Sequence, residues 1–471
     1  MTFRENRIHF IGVGGIGMSG IARMLVREGK RVSGSDLRES DTTNLLASEG
    51  LRIFIGQDAA NLDDDLDLVV VTAAIKPDNP ELVEARRRGI PVEKYAEVLG
   101  RLMNDRRGIA VSGAAGKTTT TAMLVSILKA AGLDPNFVVG AAVGNLGGSS
   151  GVGAGDLFVV EACEYDRSFH NLHPHCAVIN NVDEDHLDYY KGGLPEIIES
   201  FAQFARQVRP EGRLIINLDD KAARSAARIA GRAAETFSLD NRRADWSVAS
   251  MHSMGGLYTF RLRHKGQEVG EFEMGIPGKH NVSNALAAIA CARWAGVDYD
   301  AVRTALRDFH GADRRFQLVG EAGGATIIDD YAHHPTKIRV TLEAAREMFA
   351  GRRIWVIFQP HQHSRTRFLL KDFAASFGDA DIVLVPDIFF VRDTEEDRQA
   401  VTSNDLVREM EQYGRECHYL ATFRDIEEHL AERLHEGDVI ITMGAGDVYK
   451  VGQTVLRRLS GCGRPFEHAT V

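Results

Sequence analysis

Two glycine-rich loops constrain the fold of this chain most strongly, because each lies between an apolar strand pattern and a helix pattern. The first is the Gly12–Gly17 loop in "RIHFIGVGGIGMSG", and the second is the Gly113–Thr118 loop in "GIAVSGAAGKTTTT". A strand that enters a helix through such a loop is typical of parallel sheets with crossover helices. Strand and helix patterns continue to alternate after both loops, so the sequence predicts an α/β protein.

Three α/β segments are predicted, covering residues 1–104, 105–313 and 314–471. The polar stretch "NDRRG" marks the first boundary, and a new run of strand and helix patterns starts after "GADRRF". A hairpin-like stretch, "LYTFRLRHKGQEVGEFEMGIPG", belongs to the second segment. A chain of 471 residues fits three domains at about 150 residues each.

Composition and charge exclude several classes of protein. The net charge of −10 argues against a protein that coats nucleic acid, which needs a basic face. The start "MTFRENRIHF" lacks the apolar core of a signal peptide, and the sequence has no long apolar run. The five cysteines form no C-x-x-C pair, which is typical of free thiols in a reducing compartment. We therefore expect a cytoplasmic protein with no membrane insertion and no nucleic-acid partner.

The first glycine loop has the spacing of a dinucleotide fingerprint. Gly12, Gly14 and Gly17 follow a strand and open a helix, and Asp36 lies 24 residues after Gly12 at the end of the next strand. In this pattern the loop N–H groups approach a pyrophosphate and the acid binds a ribose hydroxyl. Any nucleoside diphosphate offers both groups, so an NAD-dependent dehydrogenase remains an alternative at this stage.

The second glycine loop is a short phosphate loop. Only Ala114 and Ala115 separate Gly113 from the Gly-Lys pair, where the common pattern has four residues. Lys117 is predicted to reach terminal phosphates, and Thr118 occupies the position that usually meets Mg²⁺. Two nucleotide-type loops in one chain favour an ATP-driven enzyme that joins a nucleotide-carried substrate to a second molecule.

Acidic residues and a histidine follow two later strand patterns. Glu161 and Glu164 end the strand in "VVEACEYD", and His186 follows the strand before "DEDHLDYY". A carboxylate at a strand end beside a phosphate loop is well placed to bind Mg²⁺. For His186, a ligand role and a structural role are both open on this pattern alone.

Several separated motifs together carry a resemblance to a known family. They are "HFIGVGGIGMSGIA", "GKTTTT", "EACEYDRSF", "DEDHLDYY", "GKHNVSNALAA", "DRRFQ", "DDYAHHPT", "FQPHQHSRT" and "ITMGAGDVYKVG". With these motifs the chain resembles the Mur ligases, the ATP-dependent amide-forming enzymes of peptidoglycan synthesis. The resemblance implies a Rossmann-like UDP-binding first domain, a central P-loop ATPase-like domain and a Rossmann-like third domain that binds the amino acid.

The resemblance also implies a role for individual residues. The UDP-sugar is expected at Gly14, Gly15, Gly17, Ser35, Asp36 and Thr72. ATP is expected at Gly113, Ala114, Ala115, Gly116, Lys117, Thr118, Thr119, His280, Asn284 and Arg314. Mg²⁺ is expected at Thr118, Glu161 and His186, and the amino acid at His361 and Arg365. The expected catalytic residues are Lys117, Glu161, His186, Arg314 and His334.

Within the family, the sequence favours the activity that adds L-alanine to UDP-N-acetylmuramate. Family members that add later residues usually carry a modified lysine on a helix after the "DH" motif, and the stretch 194–209 contains no lysine. The alternative inside the family is the recycling ligase that attaches a tripeptide to the same UDP-sugar. A regulatory ATP-binding protein without ligase activity is the alternative outside it. A monomer or a homodimer is expected.

The phosphate loop departs from the family pattern. Family loops usually read G-T-H-G-K-T, whereas Ala114 and Ala115 replace the threonine and the histidine here. Backbone N–H groups still cradle phosphate, so ATP binding is expected to persist. Any contribution from the two missing side chains is lost.

Overall fold

A computed structural model describes residues 3–72, 74–187, 189–391 and 393–461. The chain forms two compact units. Unit 1 comprises residues 1–249, 261–272 and 283–310, and unit 2 comprises residues 250–260, 273–282 and 311–471. Within the described residues, no helix is long and apolar enough to cross a membrane.

The first sheet is a five-stranded parallel sheet with the order β3-β2-β1-β4-β5. Its strands are β1 Arg7–Ile11, β2 Arg31–Asp36, β3 Arg52–Ile55, β4 Leu68–Val71 and β5 Val92–Lys94. The helices of this segment are α1 Ile16–Arg27, α2 Asp41–Ser48, α3 Pro80–Arg87 and α4 Tyr95–Asn104, with a 3-10 helix at Ala59–Asn61. The strand order reverses beside β1, and ligands of open α/β sheets bind at such a switch point.

The second sheet has ten strands in the order β15-β14-β13-β12-β11-β10-β6-β9-β7-β8. Its strands are β6 Arg107–Ser112, β7 Asn136–Val143, β8 Gly148–Gly151, β9 Leu157–Glu161, β10 Cys176–Ile179, β11 Arg213–Asn217, β12 Glu235–Ser238, β13 Trp246–Met254, β14 Leu257–His264 and β15 Gln267–Pro277. Six neighbouring strands of this sheet are parallel, in the order β12, β11, β10, β6, β9 and β7. Strand β8 is antiparallel to β7.

The helices of the second segment are α5 Lys117–Ala130, α6 Gly193–Arg206, α7 Lys221–Ala230, α8 Lys279–Trp294 and α9 Tyr299–Arg307. Two 3-10 helices, Gly144–Leu146 and Tyr165–Asn171, complete it. The central strands β6, β9 and β10 are buried along almost their whole length. Such continuous apolar runs are typical of parallel strands covered on both faces.

One hydrophobic core runs through unit 1 from the first sheet into the second. It includes Phe10 of β1, Ile21 of α1, Phe158 of β9 and Ile179 of β10. Helix α1 packs beside β7 and β8, where Gly20 lies against Ser150. Both glycine loops therefore belong to one compact unit with a shared core.

Unit 2 is built on a six-stranded sheet with the order β16-β17-β21-β18-β19-β20. Its strands are β16 Gln317–Ala322, β17 Ala325–Asp330, β18 Ile354–Phe358, β19 Ile382–Val385, β20 Glu416–Tyr419 and β21 Val439–Met443. Among the strand pairs described in this sheet, β16–β17 is antiparallel and the others are parallel. The helices are α10 Pro335–Met348, α11 His363–Phe368, α12 Leu370–Ala374, α13 Glu395–Ala400, α14 Ser403–Glu411, α15 Phe423–Arg433 and α16 Tyr449–Gly461.

Separate apolar clusters cover the two faces of this sheet. Ile328, Val356 and Ile441 face one cluster, whereas Ile327 and Trp355 face the other. The predicted α/β class with parallel sheets is confirmed.

Candidate functional site

The first glycine loop is held by the end of strand β2. The N–H groups of Gly12 and Val13 donate to the Ser35 carbonyl at 2.8 and 2.9 Å. The Gly14 N–H donates to Asp36 Oδ2 at 2.9 Å. Gly12 has a φ of 85°, which glycine adopts without strain, and Thr72 packs against it. The structure thus brings Gly14, Ser35, Asp36 and Thr72 to one edge of the first sheet.

Ser35, which accepts the two loop N–H groups, is itself held by Glu81. Its side chain is buried, and its hydroxyl donates to Glu81 Oε2 at 2.5 Å. The same carboxylate accepts from Asn61 Nδ2 at 2.6 Å. Gly15 precedes helix α1, and Gly17 lies against the ring of Tyr95, where a Cβ atom would come within 2.6 Å of the ring.

The second glycine loop is held by Asn181, which follows strand β10. The Ala114 N–H donates to the Asn181 carbonyl at 3.1 Å. The Ala115 N–H donates to Asn181 Oδ1 at 2.7 Å, and Asn181 Nδ2 donates to the Ala115 carbonyl at 3.1 Å. On the loop side, these bonds use only backbone atoms, so the side chains of Ala114 and Ala115 take no part in them. Gly116 has a φ of 79° and directly precedes helix α5.

Lys117 forms a buried ion pair with Glu164. Its ammonium group lies 3.0 and 2.8 Å from the two carboxylate oxygens and also donates to the Gly113 carbonyl at 2.5 Å. Burial alone would lower the pKa of Lys117, but the Glu164 carboxylate outweighs this effect and the pKa is raised. Burial likewise opposes ionisation of Glu164, yet Lys117 and His186 hold the pKa of that carboxyl at about 2.

Thr118 and Glu161 form a second contact beside this pair. The Thr118 hydroxyl donates to Glu161 Oε2 at 2.9 Å, and the Gly140 N–H donates to the same oxygen at 2.8 Å. Hydroxyl and carboxylate oxygens are the ligands that Mg²⁺ takes in proteins, where it retains several waters. The two side chains therefore fit a magnesium ion. Among the described residues, no cluster of three or more His, Cys, Asp or Glu side chains forms a metal site.

His186 reaches the same cluster from the loop after β10. Its Nε2 atom lies 3.6 Å from Glu164 Oε1, and its φ is 58°. A non-glycine residue with positive φ is uncommon, and such strain is often found at functional sites. The structure thus groups Lys117, Thr118, Glu161 and His186, as the sequence predicts, and places the second candidate acid, Glu164, in contact with Lys117 and His186.

Helix α8 contributes Asn284 to the phosphate loop. A Cβ atom on Gly116 would overlap the Asn284 amide oxygen, so the two residues are in direct contact. Thr119 lies in the first turn of α5 and is buried, and its neighbour Thr120 accepts a hydrogen bond from Asn180 at 3.0 Å. His280 lies in the first turn of α8, one turn before Asn284.

Arg314 is tied into unit 2. Its Nε donates to Asp329 at 2.9 Å, and its Nη2 donates to the Gly444 carbonyl at 2.7 Å. The guanidinium lies about equally far from the rings of Tyr331 and Tyr449, at 5.0 and 4.8 Å. These contacts fix the side chain firmly at the carboxyl end of the sheet.

His361 and Arg365 lie together in unit 2, at the end of β18. Arg365 Nη1 is 3.5 Å from His361 Nδ1, and the His361 ring stacks on Phe389 at 5.4 Å. His333 lies 6.2 Å from His361, ring to ring. His334 is buried and immediately precedes helix α10.

Asp393 anchors the helix that carries Arg365. Its carboxylate accepts hydrogen bonds from the N–H groups of His363 at 2.5 Å and Ser364 at 3.3 Å, at the start of α11. A carboxylate is favoured at a helix N-terminus, where N–H groups lack helical partners.

Comparison with known proteins gives consecutive matches along the chain. Residues 7–107 match the Mur ligase family catalytic domain, residues 111–292 the Mur ligase middle domain, and residues 314–446 the Mur ligase glutamate ligase domain. The UDP-N-acetylmuramate–L-alanine ligase of Pelotomaculum thermopropionicum is 41% identical over 97% of this chain and 98% of that protein. The enzyme of the same name from Alkaliphilus metalliredigens is 43% identical over 95% of this chain and 96% of its own length.

The chain belongs to the Mur ligase family.

Solved structures of Mur ligases share its fold. The UDP-N-acetylmuramate–alanine ligase of Thermotoga maritima superposes with a TM-score of 0.81 at 29% identity, covering 96% of this chain and 98% of that one. A murein peptide ligase from Psychrobacter arcticus gives a TM-score of 0.71 at 26% identity, covering 97% of this chain and 99% of that one.

The structure adds three contacts that the sequence does not predict. Glu164 is the partner of Lys117, Asn181 holds the phosphate loop, and Asp329 holds Arg314. Glu164 and Asn181 each follow a strand that flanks β6 and end at the same sheet edge as the loop. The position of each residue directly after a strand pattern is a signal in the sequence, but that signal does not identify the partner.

Proposed function

We propose that this protein joins L-alanine to the carboxylate of UDP-N-acetylmuramate and converts ATP to ADP and phosphate. The observation that carries the proposal is the geometry of the phosphate loop. The Lys117 ammonium donates to the Gly113 carbonyl of the loop, and the Thr118 hydroxyl donates to Glu161 beside it. The identity of 41% and 43% to two UDP-N-acetylmuramate–L-alanine ligases, over 97% and 95% of this chain, supports the choice of substrates.

The first step activates the muramoyl carboxylate. A carboxylate is a poor acyl donor, and ATP when bound supplies the phosphoryl group that converts it to an acyl phosphate. Such a transfer needs positioning and charge neutralisation more than covalent chemistry by the protein. Lys117 supplies a positive charge beside the loop. Thr118, Glu161 and His186 are the residues that would hold Mg²⁺, which neutralises further phosphate charge.

The second step is attack by the amino group of alanine on the acyl carbon. The amine must lose a proton to become a nucleophile, and a histidine imidazole accepts protons near neutral pH. We assign this role to His334 or His361. Arg365 offers a guanidinium for the carboxylate of the amino acid, because the planar fork of arginine matches a carboxylate. Arg314 is the further cation proposed for the γ-phosphate.

The remaining residues bind the two nucleotides. Gly14, Gly15 and Gly17 present N–H groups for the pyrophosphate of the UDP-sugar, with Ser35, Asp36 and Thr72 around them. Gly113, Gly116 and Thr119 belong to the ATP loop and the helix that it opens, with Ala114 and Ala115 between the glycines. His280 and Asn284, on helix α8, are assigned to the adenine end of ATP.

Each of the three predicted segments is assigned to one substrate. Residues 1–104 are assigned to the UDP-sugar, 105–313 to ATP and 314–471 to the amino acid. The reaction consumes ATP and the product is a peptidoglycan precursor, and the proposed site of action is the cytoplasm.

The test combines a product assay with binding. Purified protein is mixed with ATP, Mg²⁺, UDP-N-acetylmuramate and one amino acid or a tripeptide, and both phosphate and the mass of the product are measured. We expect phosphate release that requires the UDP-sugar, with L-alanine as the best acceptor. Preference for the tripeptide identifies the recycling activity instead. NAD binding that is lost in Asp36→Ala, without phosphate release, identifies a dehydrogenase.

A further inference from the structure

Glu164 is a buried acid that the proposed chemistry does not use. Its side chain is 4% exposed and lies directly against Lys117, the cation of the phosphate loop. Both carboxylate oxygens contact the Lys117 ammonium, at 3.0 and 2.8 Å. Two charge-assisted hydrogen bonds to one buried ammonium form a strong contact.

Two further contacts fix the position of Glu164. The Tyr190 hydroxyl donates to the Glu164 backbone carbonyl at 2.6 Å, and Tyr190 is itself buried and bonded to Ser200 at 3.1 Å. His186 lies 3.6 Å from the carboxylate on a second side. The Tyr190 bond fixes the backbone of Glu164, and the carboxylate cannot leave the loop without breaking its contacts with Lys117 and His186.

We propose that Glu164 acts as an autoinhibitory latch, a positioning residue that holds Lys117 against the loop and competes with incoming polyphosphate for the ammonium group. The ammonium already donates to Glu164 and to the Gly113 carbonyl, so a phosphate oxygen must displace at least one of these partners. This competition weakens ground-state binding of the nucleotide and returns Lys117 to the loop after the phosphate leaves.

The inference rests on the proposed function only in taking this loop as the polyphosphate site. It differs from a metal-ligand role for Glu164, because the competition concerns Lys117 and operates without Mg²⁺. Binding of ATP in the presence of a chelator therefore separates the two.

The experiment measures ATP affinity by calorimetry in EDTA for the unmodified protein and for Glu164→Gln, Lys117→Ala and the double variant. We expect Glu164→Gln to bind metal-free ATP on the order of tenfold more tightly, which corresponds to about 1.4 kcal/mol. The gain is expected to vanish in the Lys117→Ala background, because the acid acts through that ammonium. Glu199→Gln serves as the matched control, since it makes the same charge change at an exposed acid paired with Arg206.

A second variant and a second measurement guard against a folding defect. Glu164→Asp keeps the charge but shortens the side chain by one methylene, and we expect a smaller gain in the same direction. Glu164→Gln is also expected to lower the melting temperature of the protein alone and to enlarge the rise that ATP produces.

Other outcomes contradict the inference. Unchanged or weaker binding of metal-free ATP in both Glu164 variants overturns it. A gain that persists without Lys117 shows general charge repulsion and also overturns it. Failure of the unmodified protein to bind ATP at all contradicts the proposed function itself, which is a distinct result.

Discussion

Gly140 lies directly against the Glu161 carboxylate, and its backbone N–H donates a 2.8 Å hydrogen bond to Glu161 Oε2. That bond leaves the carboxylate oriented toward Thr118, whose hydroxyl contacts the same oxygen at 2.9 Å. The absence of a side chain at 140 is what permits the approach, because a Cβ atom there would overlap the carboxylate.

Gly140→Ala is therefore expected to displace Glu161 without altering any charged residue. Turnover should fall roughly tenfold or more, since a metal ligand moved by about 1 Å loses its geometry. The measurement is steady-state phosphate release against Mg²⁺ concentration, where a higher Mg²⁺ requirement is expected. Gly144→Ala is the matched control, because a Cβ atom there meets no atom within 4 Å. Equal activity of the two variants would contradict the placement of Glu161.

The two alanines of the phosphate loop should affect catalysis more than ATP binding. Asn181 holds the loop through backbone atoms of Ala114 and Ala115, so the loop forms without larger side chains. Restoring the family pattern with Ala114→Thr and Ala115→His is expected to raise kcat and leave the ATP dissociation constant nearly unchanged. A steady-state assay and an ATP titration on the same two proteins check this. Tighter ATP binding at unchanged kcat would show that these side chains act in the ground state.

Removing Arg314 should destabilise unit 2 as well as slow the reaction. Asp329 is buried, and its carboxylate accepts a hydrogen bond from the Arg314 guanidinium. Arg314→Ala removes that cation and leaves the buried carboxylate without its ion-pair partner. We expect a loss of about 2 kcal/mol in the free energy of unfolding, below the range for fully buried pairs because the arginine is partly exposed. Urea unfolding of Arg314→Ala, Asp329→Asn and the double variant gives the coupling. Additive losses would show that the pair contributes no coupling energy.

The stability of unit 1 should depend on pH through His170. Burial lowers the pKa of His170, whose ring stacks on Phe169 at 4.8 Å and whose Nε2 lies 2.8 Å from the Ser200 carbonyl. The unfolded chain then binds this proton more readily, so His170 reduces stability as the pH falls from about 6.5 through the folded pKa. We expect a smaller loss of melting temperature between about pH 7.5 and 5.5 in His170→Asn. An unchanged slope would exclude His170 as a contributor.

The succession of strands and loops along the chain could be predicted, because apolar runs and glycine loops are local signals. The strand patterns that lead into the two glycine loops, in "RIHFIGVGGIG" and "GIAVSG", correspond to β1 and β6 of the structure. The pairing of Lys117 with Glu164 was not predictable, because it joins residues 47 positions apart through the order of strands in the sheet. The same holds for Asn181 and Asp329. The roles assigned to individual site residues stay predictions until variants are measured.

The most direct measurement follows oxygen from substrate to phosphate. UDP-N-acetylmuramate labelled with ¹⁸O in its carboxylate is incubated with the protein, ATP, Mg²⁺ and L-alanine, and the released phosphate and the amide product are analysed by mass spectrometry. Activation through an acyl phosphate predicts one ¹⁸O atom in each phosphate released and one retained in the new amide. Unlabelled phosphate, or phosphate release without UDP-N-acetylmuramoyl-L-alanine, would contradict the proposed reaction.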